Sequence, residues 1–272
     1  MPEPPPNEPT GRFFQTVNRS ALAVSQSAAG AGVVGVVGSL AITAVAAVFF
    51  VTENFFVAML LMSLALLVYA AGSEVIKLLL SLMTIFFSSK HLTPRATQLQ
   101  ETMVALQAAL QMRWDRSGEL RVGPVDKGTR VRLPDNALVR DMKAVIERNK
   151  GYDYAEYVAH SYYVECHELY DQSGAHLEFV SGAMPLFGLM GTVLGLIAMF
   201  DSLGSVVSVE ALSPQLALAL KTTLYGALYA AVYKIVATRF DRRLRSLDYD
   251  FETLCRGLQV IIENKVTIEV QR

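Results

Sequence analysis

Four long runs of apolar residues alternate with polar segments along the chain. They cover Ala31–Val51, Phe55–Gly72, Phe179–Phe200 and Pro214–Tyr233, and the one charged residue inside them is Lys221. A membrane-spanning helix needs about 20 mostly apolar residues, whereas a soluble helix of that length normally carries a polar face. The pattern therefore predicts an all-α protein with four membrane-spanning helices.

Composition supports a membrane protein and argues against several other classes. Of the 272 residues, 52% are hydrophobic and 18% are charged, and the net charge is −1. An average soluble domain has about 25% charged residues. The near-neutral charge provides no basic field for nucleic acid, and two cysteines cannot form a disulfide framework.

The distribution of Lys and Arg predicts the topology. Two precede the first run, twelve lie in Ser88–Glu178 between the second and third runs, eight follow the fourth, and the two short links between paired runs contain none. Because Lys and Arg accumulate on the cytoplasmic side, both termini and the long central segment are predicted to be cytoplasmic. The short links carry only the acids Glu53, Asp201 and Glu210.

These patterns divide the chain into five segments. Residues 1–30 are expected to form an N-terminal cytoplasmic tail or interfacial segment, and 31–87 the first and second spans, facing lipid. Residues 88–178 are predicted to be a cytoplasmic helical domain, 179–238 the third and fourth spans, and 239–272 a C-terminal cytoplasmic helix.

The second span has two possible continuations. A single helix over Phe55–Phe87 would be about 50 Å long and would project into the cytoplasm, with Glu74 and Lys77 paired one turn apart. Alternatively, the helix breaks near Gly72–Ser73 and continues along the membrane interface.

The cytoplasmic segments show helical periodicity. An apolar stripe predicts a helix over Thr97–Trp114, further helices are predicted at Asp135–Lys150 and Tyr152–Tyr170, and glycines and prolines predict a loop or small hairpin over 121–134. The tail helix Phe240–Glu263 has a heptad-like seam, which is expected to pack on the preceding helices or on a neighbouring subunit. The stripe is Leu99, Met103, Leu106 and Leu110, and the seam is Leu244, Leu247, Phe251, Leu254, Leu258 and Ile261.

The last two spans each have one distinctive face. In the third, Thr192 shares a face with Pro185, Gly188 and Gly195, while Gly191 and Gly195 have the spacing of closely packed membrane helices. In the fourth, Ser213 and Pro214 are predicted to begin the helix, and Thr223 lies on a face of small residues. The faces suit either ordinary helix packing or a wet lumen.

Two features of the fourth span have more than one interpretation. The hydroxyls of Thr222 and Thr223 either bond to carbonyls four residues earlier or solvate a passing ion. Lys221 is an intramembrane charge, a class that is costly and usually functional, or it reaches outward toward Glu53, Asp201 or Glu210.

Two stretches resemble a known family. AMPLFGLMGTVLGL (183–196) and LALKTTLYGA (218–227) are similar to the pore helices of the MotA/TolQ/ExbB proton-channel family, and four spans with both termini inside resemble its MotA/PomA flagellar-stator branch. The resemblance implies a homopentamer in the bacterial inner membrane. It also implies a single-span partner of the MotB/ExbD/TolR type, as a dimer, whose aspartate carries H+ or Na+ through an energy-transducing complex.

The resemblance also assigns roles to individual residues. The ion-path candidates are Thr192, Thr222 and Thr223, and the packing and kink candidates are Pro185, Gly188, Gly191, Gly195, Tyr225 and Gly226. Lys221 departs from the family pattern, and Leu218 stands where the ExbB/TolQ branch has a glutamate. Local candidates for charges that face a cytoplasmic partner are Arg140, Lys143, Glu147 and Arg148.

Candidate chemistry beyond ion transport is scarce. There is no phosphate loop, dinucleotide fingerprint or nucleophile elbow, so the chain is predicted not to be an enzyme and to need no cofactor. His160 and His167 supply two ligands where zinc needs three or four, so no metal site is expected. The alternatives are a non-conducting membrane scaffold that recruits cytoplasmic partners, and an independent transporter, which would need repeats or broken helices.

Overall fold

The computed structural model describes residues 32–88, 90–115, 120–123, 130–148, 151–202 and 209–271. The segment predicted for residues 1–30 lies outside this range. The helices are α1 Gly32–Val51, α2 Phe55–Ala71, α3 Val75–Phe87, α4 Pro94–Ala109, α5 Ala137–Glu147, α6 Tyr152–Ser202 and α7 Val209–Glu263. Four short strands are β1 Arg113–Trp114, β2 Leu120–Arg121, β3 Arg130–Pro134 and β4 Thr267–Gln271.

The mostly helical, four-span prediction is confirmed. Four stretches are long and apolar enough to cross a membrane: Gly32–Val51, Phe55–Phe87, and parts of the helices over Tyr152–Asp201 and Ser213–Glu263. The third and fourth spans are therefore portions of much longer helices. Their polar continuations carry no proline or glycine between 234 and 239, and no proline between 171 and 178, so nothing in either stretch stops the helix.

The chain divides into two compact units. The span unit comprises the residues up to Leu78 together with Phe179–Tyr233, and the polar unit comprises Leu79–Glu178 together with Lys234–Arg272. Helices α6 and α7 contribute residues to both units.

Within the span unit, a tight link joins α1 to α2. Glu53 adopts a positive φ of 62°, and the Asn54 side chain accepts a hydrogen bond from the amide of Val57, which caps α2. The rings of Phe50 and Phe55 meet edge to face across the link, with centroids 5.3 Å apart. These local contacts bring the two helices together.

The second span is interrupted, so the prediction of one straight helix over Phe55–Phe87 is wrong and the alternative break is observed. Helix α2 ends at Ala71, Gly72 has a φ of 54°, and a 3₁₀ turn covers Gly72–Glu74 before α3 begins. A Cβ on Gly35 of α1 would lie 2.9 Å from the Cα of Gly72. Glycine permits both the left-handed conformation and this close approach.

The polar unit has an apolar core to which helices α4, α5, α6 and α7 and strands β3 and β4 contribute. The predicted stripe of α4 is buried, as are Leu247, Leu254, Leu258 and Ile261 of the α7 seam, which packs against α4, α5, α6 and the strands of its own chain. A Cβ on Gly257 of α7 would lie 2.3 Å from the Leu106 side chain of α4. The seam therefore packs on the preceding helices of its own chain, which was one of the two predicted partners.

Two small sheets complete the polar unit. Strands β1 and β2 pair antiparallel as a hairpin. Strands β3 and β4 pair in parallel, with Arg130 opposite Thr267 and Pro134 opposite Gln271. The second sheet adds a C-terminal strand to the predicted helical tail, and Glu269 of β4 bridges Arg130 of β3 at 3.1 Å.

A buried polar cluster joins three separate segments of the polar unit. His91 precedes α4, and its Nε2 lies 3.3 Å from Oδ2 of Asp250 on α7, while its Nδ1 lies 3.2 Å from the hydroxyl of Tyr170 on α6. All three residues are less than 5% exposed. Buried polar groups need such partners, and the cluster ties the segment after α3 to both long helices.

Candidate ion-path site

The third and fourth spans pack through glycines. A Cβ on Gly188 would lie 3.2 Å from the backbone of Thr222 and Thr223, and one on Gly195 would lie 2.8 Å from the carbonyl oxygen of Gln215. A Cβ on Gly226 would lie 2.9 Å from the carbonyl oxygen of Met184. A larger residue at Gly195 or Gly226 would therefore force the backbones of α6 and α7 to shift, and one at Gly188 would need its neighbours to give by a few tenths of an ångström, as in other closely packed membrane helices.

The order of these contacts shows that α6 and α7 run antiparallel. Positions near the start of the α6 span meet Gly226, and Gly195, further along α6, meets Gln215 and Ala219, which come earlier in α7. The faces that carry the contacts are the glycine face of α6 and the small-residue face of α7.

Thr222 lies inside this interface. It is fully buried, and its Cβ would be 2.4 Å from a Cβ on Gly191. Its hydroxyl donates to the carbonyls of Leu218 at 3.0 Å and Ala219 at 3.1 Å. The structure thus places Thr222 in helix packing, away from the accessible surface of the subunit.

Thr192 and Thr223 lie at the edge of the same interface. Thr192 is half-buried and Thr223 is exposed. The Thr192 hydroxyl donates to the carbonyl of Leu189. The Thr223 hydroxyl lies 3.0 Å from the carbonyl of Ala219 and, across the helix pair, 3.3 Å from that of Gly188.

Helical geometry places both threonines on one side of the α6–α7 pair. At 100° per residue, each threonine is rotated by about 70° from the centre of its packing face, in the same sense along the chain. Because the helices are antiparallel, equal rotations lead to the same side. The hydroxyls contact adjacent carbonyls, Leu189 for Thr192 and Gly188 for Thr223, which agrees with this placement.

The remaining predicted residues of the spans separate into different environments. Pro185 is inside α6 and exposed. The Tyr225 ring contacts Phe56 of α2 edge to face at 5.6 Å, so it packs between spans outside the glycine contacts. Pro214 lies inside α7, which begins at Val209, so the predicted helix start at Ser213 is wrong.

Lys221 is exposed on the flank of α7 away from Thr223. Among the side chains that the structure describes, it makes no ion pair, and the side chain of Glu210 lies outside that set. The two interpretations of Lys221, as an intramembrane charge and as a side chain that reaches outward, both stay predictions.

The four charges predicted to face a partner lie on or next to α5 in the polar unit. Arg140 donates to Asp135 at 2.7 Å, and this hydrogen bond raises the pKa of the guanidinium. Lys143 and Glu147 are 3.8 Å apart, one turn along the helix, and Arg148 is exposed. Such surface pairs contribute little stability.

Comparison with known proteins connects part of the chain to a family. Residues 134–253 match the model of the MotA/TolQ/ExbB proton channel family, a segment that contains α5, the α6–α7 glycine interface and both edge threonines. The matched segment belongs to this family. The family match confirms the resemblance noted in the sequence, and the four apolar stretches indicate a multi-pass membrane protein.

The fold is also similar to solved structures. The structure of C. jejuni MotAB has a TM-score of 0.51 and 17% sequence identity, covering 86% of this chain and 89% of that chain. The flagellar MotAB stator complex from Bacillus subtilis has a TM-score of 0.47 and 18% identity, covering 76% and 80%. No curated protein matches this chain in sequence.

Proposed function

We propose that this chain is an ion-channel subunit of a complex driven by a proton or sodium gradient. The observation that carries the proposal is the placement of Thr192 and Thr223 on one side of a helix pair whose spacing is set by glycines. Their hydroxyls can solvate an ion that passes along this side. The family match over 134–253 supports the same function.

The carrier of the ion is proposed to lie on another chain. The cores of the third and fourth spans contain no Asp, Glu or His, and proton relays across membranes generally use such groups. A single-span MotB-like partner, as its dimer, would supply an aspartate, and five copies of this chain would surround it. The similarity to MotAB structures supports this kind of partner.

In this proposal the chain lies in a bacterial inner membrane with both termini in the cytoplasm, as the Lys and Arg distribution favours. It catalyses no covalent step and needs no cofactor, and H+ or Na+ is its transported substrate. The charges Arg140, Lys143, Glu147 and Arg148 are proposed to face a cytoplasmic partner.

The exchange Thr223→Val tests the ion path. Valine keeps the shape of the side chain and removes the exposed hydroxyl, so gradient-driven ion flux should be lost while assembly is retained. The chain would be produced with a single-span MotB-like partner, and flux measured in vesicles with imposed proton or sodium gradients. Thr238→Val is the matched control, because its hydroxyl bonds to the Lys234 carbonyl four residues earlier in the same helix.

The scaffold alternative gives the opposite pattern. If the chain only recruits partners, Thr223→Val leaves function intact, and changes in α5 or the end of α7 abolish it. Full ion-driven activity in the Thr223→Val protein would therefore contradict the channel proposal.

A further inference from the structure

An apolar cavity of about 290 Å³ lies within the span unit, away from the threonine edge. Helices α1, α2 and α6 supply most of its wall, and α7 contributes Thr222. Along α1 it extends from Thr43 to Val51, which is about 12 Å at 1.5 Å per residue. The cavity therefore occupies the half of the unit nearest the link between α1 and α2.

The two threonine hydroxyls in the cavity wall already donate hydrogen bonds within their own helices. Thr43 donates to the carbonyl of Ser39 at 2.8 Å, and Thr222 donates to that of Leu218 at 3.0 Å. The rest of the lining is alanine, glycine, methionine, phenylalanine, valine and leucine. A water needs two to four polar partners, and an apolar cavity of about half this size stays dry and admits benzene.

The rim of the cavity lies on the lipid-accessible surface of the helices. Val51 is 81% exposed, Met190 57% and Leu194 48%. These residues belong to stretches that are long and apolar enough to cross a membrane. The medium at the rim is then the hydrocarbon of the bilayer.

The cavity and the edge threonine Thr192 lie on opposite sides of α6. Met190 and Leu194 are each rotated about 160° from Thr192 at 100° per residue. If the threonine side faces the ion path, as the proposed function has it, the cavity faces outward to lipid. This orientation rests on the proposed function, whereas occupancy by lipid can be measured without any ion flux.

We propose that the cavity is a binding site for one acyl chain of a membrane phospholipid. The chain enters from the leaflet beside the α1–α2 link and reaches the contact between Gly191 and Thr222. A single hydrocarbon chain suits the dry, apolar wall of the cavity, and a charged headgroup does not. The flexible side chains of Met59, Met62 and Met190 can adapt to such an occupant.

Photolabelling tests the site. The full chain, with its single-span partner, is reconstituted in vesicles that contain phosphatidylcholine with a diazirine on an acyl chain, and labelled residues are mapped by mass spectrometry. Labels on Met59 and Met62 are expected with the acyl-chain probe and not with a headgroup diazirine, whereas a label on Met190 at the exposed rim does not report on the cavity. If another protein segment fills the cavity, Met59 and Met62 stay unlabelled while exposed residues such as Leu64 are labelled, and the proposal fails.

A variant whose side chain fills the cavity provides a second test of the site. Ala47 lines the cavity, so Ala47→Phe should abolish labelling of Met59 and Met62. Ala44, exposed on the same helix and outside the lining, gives the control Ala44→Phe, which should label as the unchanged protein does. Equal labelling of both variants would overturn the proposal, whatever the outcome for Thr223→Val.

Discussion

Replacing Gly191 by alanine tests whether glycine contacts set the distance between the third and fourth spans. The added Cβ would lie 2.4 Å from the Cβ of Thr222, against about 3.5–4.0 Å for favourable carbon contacts. Rotation about χ1 leaves the Thr222 Cβ in place, so the side chain cannot move aside. The helices must instead separate locally by about 1 to 1.5 Å.

The expected cost follows from a comparison with a glycine that has space. Overpacking costs about 1–3 kcal/mol, while exchanging glycine for alanine in a helix gains about 1 kcal/mol. Gly182, exposed on the same helix, has nothing within 4 Å of its Cβ position. The exchange Gly182→Ala should therefore gain the helix-propensity free energy without any overpacking cost. Gly191→Ala should therefore melt roughly 2 to 12 °C below Gly182→Ala, at about 2–4 °C per kcal/mol for a chain of this size.

The assay is thermal melting of the detergent-purified protein, followed by size-exclusion of the fraction that stays folded. A second exchange at the contact identifies the cause. Thr222→Gly removes the opposing Cβ and should restore the melting midpoint of Gly191→Ala, whereas Thr222→Ser keeps that Cβ and should not. Equal midpoints for Gly191→Ala and Gly182→Ala, or rescue by serine as complete as rescue by glycine, would refute the reasoning.

Two further exchanges address the buried hydroxyl and the buried polar cluster. Thr222→Val removes a hydroxyl that donates only to carbonyls of its own helix, so ion flux in vesicles should persist, and its loss would return Thr222 to the ion path. His91→Ala removes the partner of both Asp250 and Tyr170 and should lower the free energy of unfolding by about 3 kcal/mol, measured by denaturant titration. His160→Ala is its control, because the exposed His160 only touches aromatic rings, and a similar loss there would contradict the role of the cluster.

Local patterns predicted the helices better than their ends. Thr93 and Pro94 begin α4, with the Thr93 hydroxyl accepting from the amide of Ala96, whereas the similar pair Ser213 and Pro214 lies inside α7. A proline near a helix start loses one hydrogen bond. Residues upstream of Pro214 can therefore extend the helix, and the pair alone does not fix where it begins.

Features that depend on distant residues were not predictable from local pattern. Strand β4 pairs with β3, whose residues precede it by more than a hundred positions, and His91 meets Asp250 from a segment 159 residues away. The break at Gly72 was foreseen as an alternative. The close approach of Gly35 to Gly72 joins two different spans and cannot be deduced from either one alone.

The relation between glycines and threonines is the main point on which the structure changes the sequence-based picture of the site. Wheel geometry placed Thr192 and the glycines on one face, but the glycines turn toward α7 and leave Thr192 at the edge. The same close packing brings the Thr223 hydroxyl within 3.3 Å of the Gly188 carbonyl on the opposite helix. Because an added Cβ at Gly191 would push the helices apart, it would also lengthen this hydrogen bond. The spacing of the two spans and the geometry of the proposed ion path are therefore set by the same contacts.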